Sequence, residues 1–113
     1  MYDTIWQERF MGVPTESDPS IMQNYIDCSP ISFVAGLQEH QKLLLVHGMG
    51  DDNCHFQHCE LLINELVAQD KYFSVLPYPN RTHAIEDARG PNTYALPTTL
   101  SPPAVVECVM ADR

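Results

Sequence analysis

The chain has 113 residues, 44% of them hydrophobic, which is enough for one small domain with a single core. Its 6 basic and 15 acidic side chains give a formal net charge of −9, so we expect no binding to nucleic acid or to an anionic membrane surface. The longest aliphatic run, residues 43–46, is too short to span a bilayer, and the N-terminus lacks the basic start and apolar block of an export signal. Four cysteines are too few to indicate a disulfide scaffold, which leaves the cellular compartment open.

The first predicted element is a helix over residues 1–12. Tyr2, Trp6 and Phe10 recur at the spacing that places side chains on one helix face. Gly12 ends the helix. On spacing alone, such an aromatic stripe is more often part of a core than the wall of a binding pocket. The interpretation as a pocket wall is favoured only if an active site lies nearby.

The centre of the chain predicts two strands joined by a helix. Residues 43–46 are uniformly apolar, which suits a strand buried on both faces. Residues 56–70 carry apolar side chains at the 3.6-residue period of a helix, and residues 73–76 form a second short apolar run before a proline-rich turn. A strand, a helix and a strand in this order make one βαβ unit with a parallel sheet and a right-handed crossover. The sequence therefore predicts an α/β fold.

The last part of the chain has a different composition. Four of the nine prolines lie beyond Arg89, and a proline inside a helix costs about 3 kcal/mol. A long helix is therefore excluded there. We predict that residues 89–113 form an irregular proline-rich tail, distinct from a folded unit over residues 1–88.

Two side chains that could act together follow the two predicted strands. Asp51 comes just after the first strand and His83 just after the second. Because the strands of a βαβ unit are parallel, both ends open at the same edge of the sheet, so Asp51 and His83 can meet there. A carboxylate that accepts a hydrogen bond from an imidazole orients the base of a Ser-His-Asp triad. Aspartates after glycine-rich turns and single histidines are also common in loops, so spacing alone leaves both interpretations open.

Four blocks of sequence carry a resemblance to a known family. They are YDTIWQERFMG at residues 2–12, SPI at 29–31, LLVHGMGDDNCHFQ at 44–57 and YPNRTH at 78–83. Together and in this order they strongly resemble the C-terminal end of the peptidase domain in the prolyl oligopeptidase family, most closely its dipeptidyl peptidase IV branch. The resemblance extends over residues 1–87. It implies an α/β-hydrolase fold, with the triad in the order Ser, Asp, His.

The resemblance also assigns roles to single residues. Asp51 matches the triad aspartate and His83 the triad histidine, so residues 1–88 would be a partial peptidase catalytic domain. The complete enzyme would act on a peptide substrate without a cofactor. Family members are often membrane-anchored extracellular or cytoplasmic proteins, and the chain carries no signal that decides between these locations.

Five further residues match positions that bind substrate in the family. Tyr2 matches a tyrosine of the specificity pocket, and Trp6 stands where a second tyrosine is usual. Arg9 and Asn53 match a polar pair that holds a backbone carbonyl of the substrate. Cys54 stands where a small aliphatic residue usually lines the pocket. With these matches, the aromatic stripe is better interpreted as a pocket wall.

Two features depart from the family pattern. The nucleophile motif Gly-x-Ser-x-Gly occurs nowhere in the sequence, and the family places it upstream of the matched region. Ala84 follows His83, where the family usually has glycine and then a closing helix. We therefore expect a partial product, or a chain with an altered end, that has no peptidase activity by itself because it lacks the nucleophile.

Two other functions remain open. The chain could be an inactive interaction fragment that pairs with full-length family members or with itself as a homo-oligomer. A zinc-binding module is the other alternative, with the thiols and imidazoles of Cys54, His55, His58 and Cys59 as ligands. Four such closely spaced residues at the start of a helix, however, spread over more than one face. Asn80 begins a glycosylation sequon close to His83, and an unmodified turn is the preferred interpretation unless the chain is secreted.

Overall fold

The computed structural model describes residues 4–85 and the backbone of residues 104–107. The described helices and strands are α1 (Thr4–Met11), α2 (Pro19–Asp27), a 3₁₀ helix (Pro30–Gly36), β1 (Leu43–Gly48), α3 (Phe56–Ala68), β2 (Phe73–Tyr78) and β3 (Ala104–Glu107). None of the helices within the described ranges is both long and apolar enough to cross a membrane.

The strands form one parallel sheet in the order β2-β1-β3. In the pairing of β1 with β2, Leu43 lies opposite Phe73 and Gly48 lies opposite Tyr78. Pro77, which has no backbone N–H to donate, fits β2 because that strand lies at an edge of the described sheet. The predicted βαβ unit is confirmed, with α3 connecting the two strands.

The core lies on both faces of β1, as its uniformly apolar sequence predicts. On one face, Leu45 packs with side chains of α3 and the 3₁₀ helix, namely Val34, Cys59, Leu62 and Leu66. On the other face, Leu44 and Val46 pack with Ile85. The two faces alternate along the strand because successive side chains point to opposite sides of a sheet. Burial on both sides holds the carboxyl end of β1 in place.

The prediction of an irregular tail over residues 89–113 is wrong at residues 104–107. These residues form β3, which pairs in parallel with β1 so that Leu43 lies opposite Ala104. Prolines exclude a helix but tolerate an extended chain at the start of a strand, and Val105 and Val106 are β-branched residues that favour strands. The rest of the predicted tail, and the predicted boundary at residue 88, lie outside the described residues.

Candidate functional site

The candidate site lies where β1 and β2 end at a common edge of the sheet. Asp51 belongs to the turn after β1, and His83 belongs to the segment after β2. The structure brings the two side chains together, with His83 Nδ1 3.0 Å from Asp51 Oδ2. The sequence predicted this approach from the parallel topology. The catalytic role of the pair stays a prediction.

Two glycines allow the segment after β2 to lie directly against the turn after β1. The Gly50 N–H donates a hydrogen bond to the Arg81 carbonyl at 2.9 Å, and the Met49 N–H donates to the Tyr78 carbonyl at 3.0 Å. A Cβ atom on Gly48 would stand 2.5 Å from the carbonyl oxygens of both Arg81 and Thr82. A side chain at Gly48 is therefore incompatible with this backbone approach, which delivers His83 to Asp51.

The Asp51 carboxylate is held in one orientation by hydrogen bonds to both of its oxygens. Its Oδ1 accepts from the backbone N–H of Asn53 at 2.9 Å and from that of Cys54 at 2.8 Å. Its Oδ2 is left to face His83. Because an ionised carboxylate can only accept hydrogen bonds, His83 Nδ1 carries the hydrogen. The pair thus selects one tautomer of the imidazole.

The surroundings of Asp51 favour its charged form. Burial raises the pKa of the Asp51 carboxyl, but the hydrogen bonds from Cys54, His83 and Asn53, together with attraction to the His83 ring, outweigh that effect. The pKa of Asp51 consequently lies below its ordinary value of 3.8. Asp51 is therefore a carboxylate at neutral pH, as an acceptor for His83 requires.

The lowered pKa of Asp51 predicts an acid-sensitive contribution to stability. A carboxyl group whose pKa is lower in the folded state stabilises the fold above its ordinary pKa of 3.8, and this contribution is lost as the pH falls through the folded value. We expect Asp51→Asn to reduce the free energy of unfolding by about 1–3 kcal/mol at pH 7, with a smaller difference from wild type near pH 3. Urea denaturation at both pH values measures this difference.

Asp52→Asn is the matched control for the pH experiment. Asp52 is the exposed neighbour of Asp51, so its replacement leaves the buried carboxylate in place. This control should keep the wild-type dependence of stability on pH. A gap between wild type and Asp51→Asn that stays constant down to pH 3 would contradict the assignment of the acid-sensitive contribution to Asp51.

His47 supports the turn that carries Asp51. Its buried ring lies with Nε2 2.7 Å from the Cys54 carbonyl and 3.6 Å from Asp51 Oδ2. Because a carbonyl only accepts, Nε2 donates the hydrogen bond to Cys54. Among the described residues, His47 Nδ1 has no hydrogen-bond partner. The sequence shows only that a histidine stands at the end of a strand. Its hydrogen bond to the Cys54 carbonyl could not be predicted, because it depends on how the turn folds.

Asn53 and Cys54 lie on the same turn as Asp51. Asn53 is exposed and Cys54 is buried, and the backbone N–H of each binds the Asp51 carboxylate. The structure therefore places these two predicted substrate-binding residues beside the Asp51–His83 pair. Their contact with a substrate stays a prediction.

Trp6 and Arg9 lie on α1, which is far in sequence from the turns that follow β1 and β2. Trp6 stacks on Phe10 with ring centres 5.5 Å apart, and Arg9 Cζ lies 6.0 Å from the centre of the same ring. Trp6 is 46% exposed and Phe10 is 70% exposed, so this face does not form a core within the described chain. Its role as a pocket wall stays a prediction. Tyr2, the third predicted pocket residue on this segment, lies outside the described residues.

The four closely spaced cysteines and histidines do not assemble as the zinc interpretation requires. Cys54 and Cys59 are buried, whereas His55 is exposed and its ring centre lies 6.3 Å from that of His58. Across residues 4–85, the one group of potential metal-ligating side chains that converges consists of Asp51, Cys54 and His83. The alternative of a zinc module built from residues 54–59 is therefore not supported within the described residues.

Comparisons with known proteins agree with the resemblance seen in the sequence. The model of the prolyl oligopeptidase family matches residues 1–98. The chain is similar to venom dipeptidyl peptidase 4 of Vespula vulgaris, with 38% identity over 74% of this chain and 10% of the relative. It is also similar to prolyl endopeptidase FAP of Mus musculus, with 34% identity over 80% of this chain and 12% of the relative. For dipeptidyl peptidase 8 of Homo sapiens, the identity is 32% over 84% of this chain and 10% of the relative. The chain thus spans about a tenth of the length of these curated relatives.

Proposed function

Because the chain belongs to the prolyl oligopeptidase family, we propose that it is part of the catalytic domain of a serine-type dipeptidyl peptidase. In this proposal the described sheet is a portion of an α/β-hydrolase fold, and Asp51 and His83 are two members of a Ser-His-Asp triad. The observation that carries the proposal is the 3.0 Å hydrogen bond between His83 and a carboxylate whose other oxygen is fixed by two backbone N–H groups.

The proposed roles follow from the geometry of the pair. With Nδ1–H donated to Asp51, the lone pair of the neutral His83 ring is on Nε2. Nε2 is the nitrogen at which the base of a triad accepts the proton of the serine and later returns it to the leaving amine. Asp51 holds this tautomer and stabilises the imidazolium formed when His83 takes the proton. The serine itself would come from another part of the complete enzyme.

Five further residues are proposed to contact the substrate. Asn53 and Arg9 would hold a backbone carbonyl of the substrate, and Tyr2 and Trp6 would enclose its side chain. The backbone N–H of Asn53 donates a hydrogen bond to Asp51 Oδ1. Asn53 therefore lies beside the proposed catalytic pair, which supports its contact with the substrate. Cys54 would line the pocket at the position where the family usually has a small aliphatic residue.

The 113-residue chain by itself should not hydrolyse peptides. It contains no Gly-x-Ser-x-Gly nucleophile motif, so neither an acyl-enzyme nor a burst of product can form through the triad. We expect no release of dipeptide from a substrate with proline or alanine in the penultimate position. We also expect no labelling by a fluorophosphonate, and mass spectrometry of the intact chain measures this directly.

Human dipeptidyl peptidase 8 serves as the positive control in the same two assays. Stoichiometric labelling of the purified 113-residue chain, together with dipeptide release, would contradict the proposal that its nucleophile lies elsewhere. The proposal that residues 1–85 can complete a triad is tested separately, by placing them in that relative in exchange for its matching segment.

A further inference from the structure

We propose that Asp51, Cys54 and His83 form a binding site for a zinc ion, which would replace the hydrogen bond between Asp51 and His83. One ligating atom from each of the three side chains lies within 4.8 Å of the other two. The site involves the same pair as the proposed catalytic function, but its existence depends on geometry and not on peptidase activity. It differs from the module suggested by residues 54–59, since Asp51 and His83 supply two of its three ligands.

The distances among the three ligands suit a small tetrahedral ion. Zinc binds histidine nitrogen and carboxylate oxygen at about 2.0–2.2 Å and thiolate sulfur at about 2.3 Å, so neighbouring ligands are roughly 3.5 Å apart. His83 Nδ1 and Asp51 Oδ2 are 3.0 Å apart, and the whole group falls within 4.8 Å. Shifts of about 1 Å or less would bring the three atoms to these bonding distances. Three protein ligands leave a fourth position for water.

Two of the three ligands are held in place by the turn after β1. Asp51 Oδ1 accepts two backbone hydrogen bonds, which leaves Oδ2 directed at His83. The Cys54 residue is fixed on both sides, because its N–H binds Asp51 and its carbonyl accepts from His47. Hydrogen bonds that orient ligands in this way strengthen metal binding.

The ligand chemistry selects zinc and similar ions over magnesium or calcium. A thiolate and an imidazole are preferred by zinc, whereas magnesium and calcium prefer oxygen ligands alone. Zinc binding releases the proton of the Cys54 thiol, so that the thiolate binds the ion. The proton on His83 Nδ1 moves to Nε2, and the lone pair of Nδ1 then binds the ion. The thiolate and the Asp51 carboxylate together neutralise the two positive charges of the ion.

The exposed side of His83 offers an entry route to the ion. The His83 side chain is 22% exposed, whereas the Asp51 side chain is 2% exposed. Once zinc is bound to Nδ1, the imidazole can no longer donate from that nitrogen to Asp51. If the proposed function is correct, the ion would also inhibit the complete peptidase by removing the tautomer that its base requires.

Titration of the purified, metal-free chain with Co²⁺ and with Zn²⁺ tests the site. Co²⁺ bound by a thiolate gives a sulfur-to-metal charge-transfer absorption, and equilibrium dialysis counts the zinc ions bound per chain. We expect one ion per chain, and we expect Zn²⁺ to displace Co²⁺. Cys54→Val should abolish the charge-transfer absorption. His83→Gln should weaken zinc binding by about tenfold or more, and its charge-transfer absorption should still appear at a higher Co²⁺ concentration.

Two variants with matched chemistry serve as controls. Cys28→Val removes an exposed thiol, and His58→Gln removes an imidazole of the alternative cluster. Both should bind zinc like the wild type. Circular dichroism verifies that each variant is folded, and His83→Gln gives a second reading should Cys54→Val fail to fold. Binding that is lost in His58→Gln or Cys28→Val, or that is unchanged in His83→Gln, would overturn the proposal, as would the absence of stoichiometric binding by the folded wild type.

Discussion

Replacing Asp51 by asparagine should lower kcat/KM by about 10³–10⁴-fold in a chimera of human dipeptidyl peptidase 8 that carries residues 1–85 of this chain. The cause is the hydrogen bond from His83 Nδ1 to Asp51 Oδ2, 3.0 Å long. An asparagine amide can present its NH₂ group to the imidazole, which then carries its proton on Nε2 and cannot accept one from a serine. The unsubstituted chimera should release a dipeptide from a substrate with proline or alanine in the penultimate position.

Asp52→Asn in the same chimera separates this effect from a general loss of charge. The variant removes an identical carboxylate from the next residue, which is exposed. We expect its kcat/KM to stay within about threefold of the unsubstituted chimera, because surface substitutions change little. Equal losses in the two variants, or an Asp51→Asn chimera that keeps a tenth of its activity, would contradict the assigned role of Asp51.

Gly48→Ala should disable the proposed site without changing either side chain of the Asp51–His83 pair. The added Cβ would stand 2.5 Å from the carbonyl oxygens of Arg81 and Thr82, which are backbone atoms and can move only with their chain. His83 follows Thr82 directly, so it must shift relative to Asp51. We expect kcat/KM of the chimera to fall by about 100-fold or more, since a misplacement of about 1 Å has that effect. The free energy of unfolding should fall by about 1–3 kcal/mol.

Gly36→Ala is the matched control for the glycine substitution. A Cβ at Gly36 meets no atom within 4 Å, so the same chemical change occurs there without a clash. Both kcat/KM and the urea midpoint should remain close to those of the unsubstituted protein. If Gly48→Ala behaves in the same way as Gly36→Ala, the close backbone approach does not position His83.

The approach of Asp51 and His83 could be predicted because it depends on patterns of apolar residues that are close together in the sequence. The apolar run at residues 43–46 and the helical period after it define a βαβ unit, and that unit has only one common topology. Both side chains then fall at the carboxyl ends of adjacent parallel strands. The observed 3.0 Å contact follows from this topology together with the glycine turn.

Other parts of the fold and of the site depend on tertiary contacts that no local pattern specifies. The pairing of β3 with β1 joins residues 43–46 to residues 104–107, which are far apart in sequence. His47 reaches the Cys54 carbonyl only after the turn has folded. The need for glycine at position 48 arises from the carbonyls of Arg81 and Thr82, which the topology places there. Composition could exclude a helix near β3, but it identified neither the strand nor its partner.

A double-mutant cycle in the chimera tests most directly whether Asp51 acts through His83. The chimera is assayed for kcat/KM with Asp51→Asn, with His83→Gln and with both substitutions together. If Asp51 serves only to orient and stabilise His83, the double variant should be no less active than His83→Gln alone, because residues that act as a unit have strongly non-additive effects. Losses that multiply in the double variant would show that the two residues act independently, and would contradict the assignment of Asp51 and His83 as a catalytic pair.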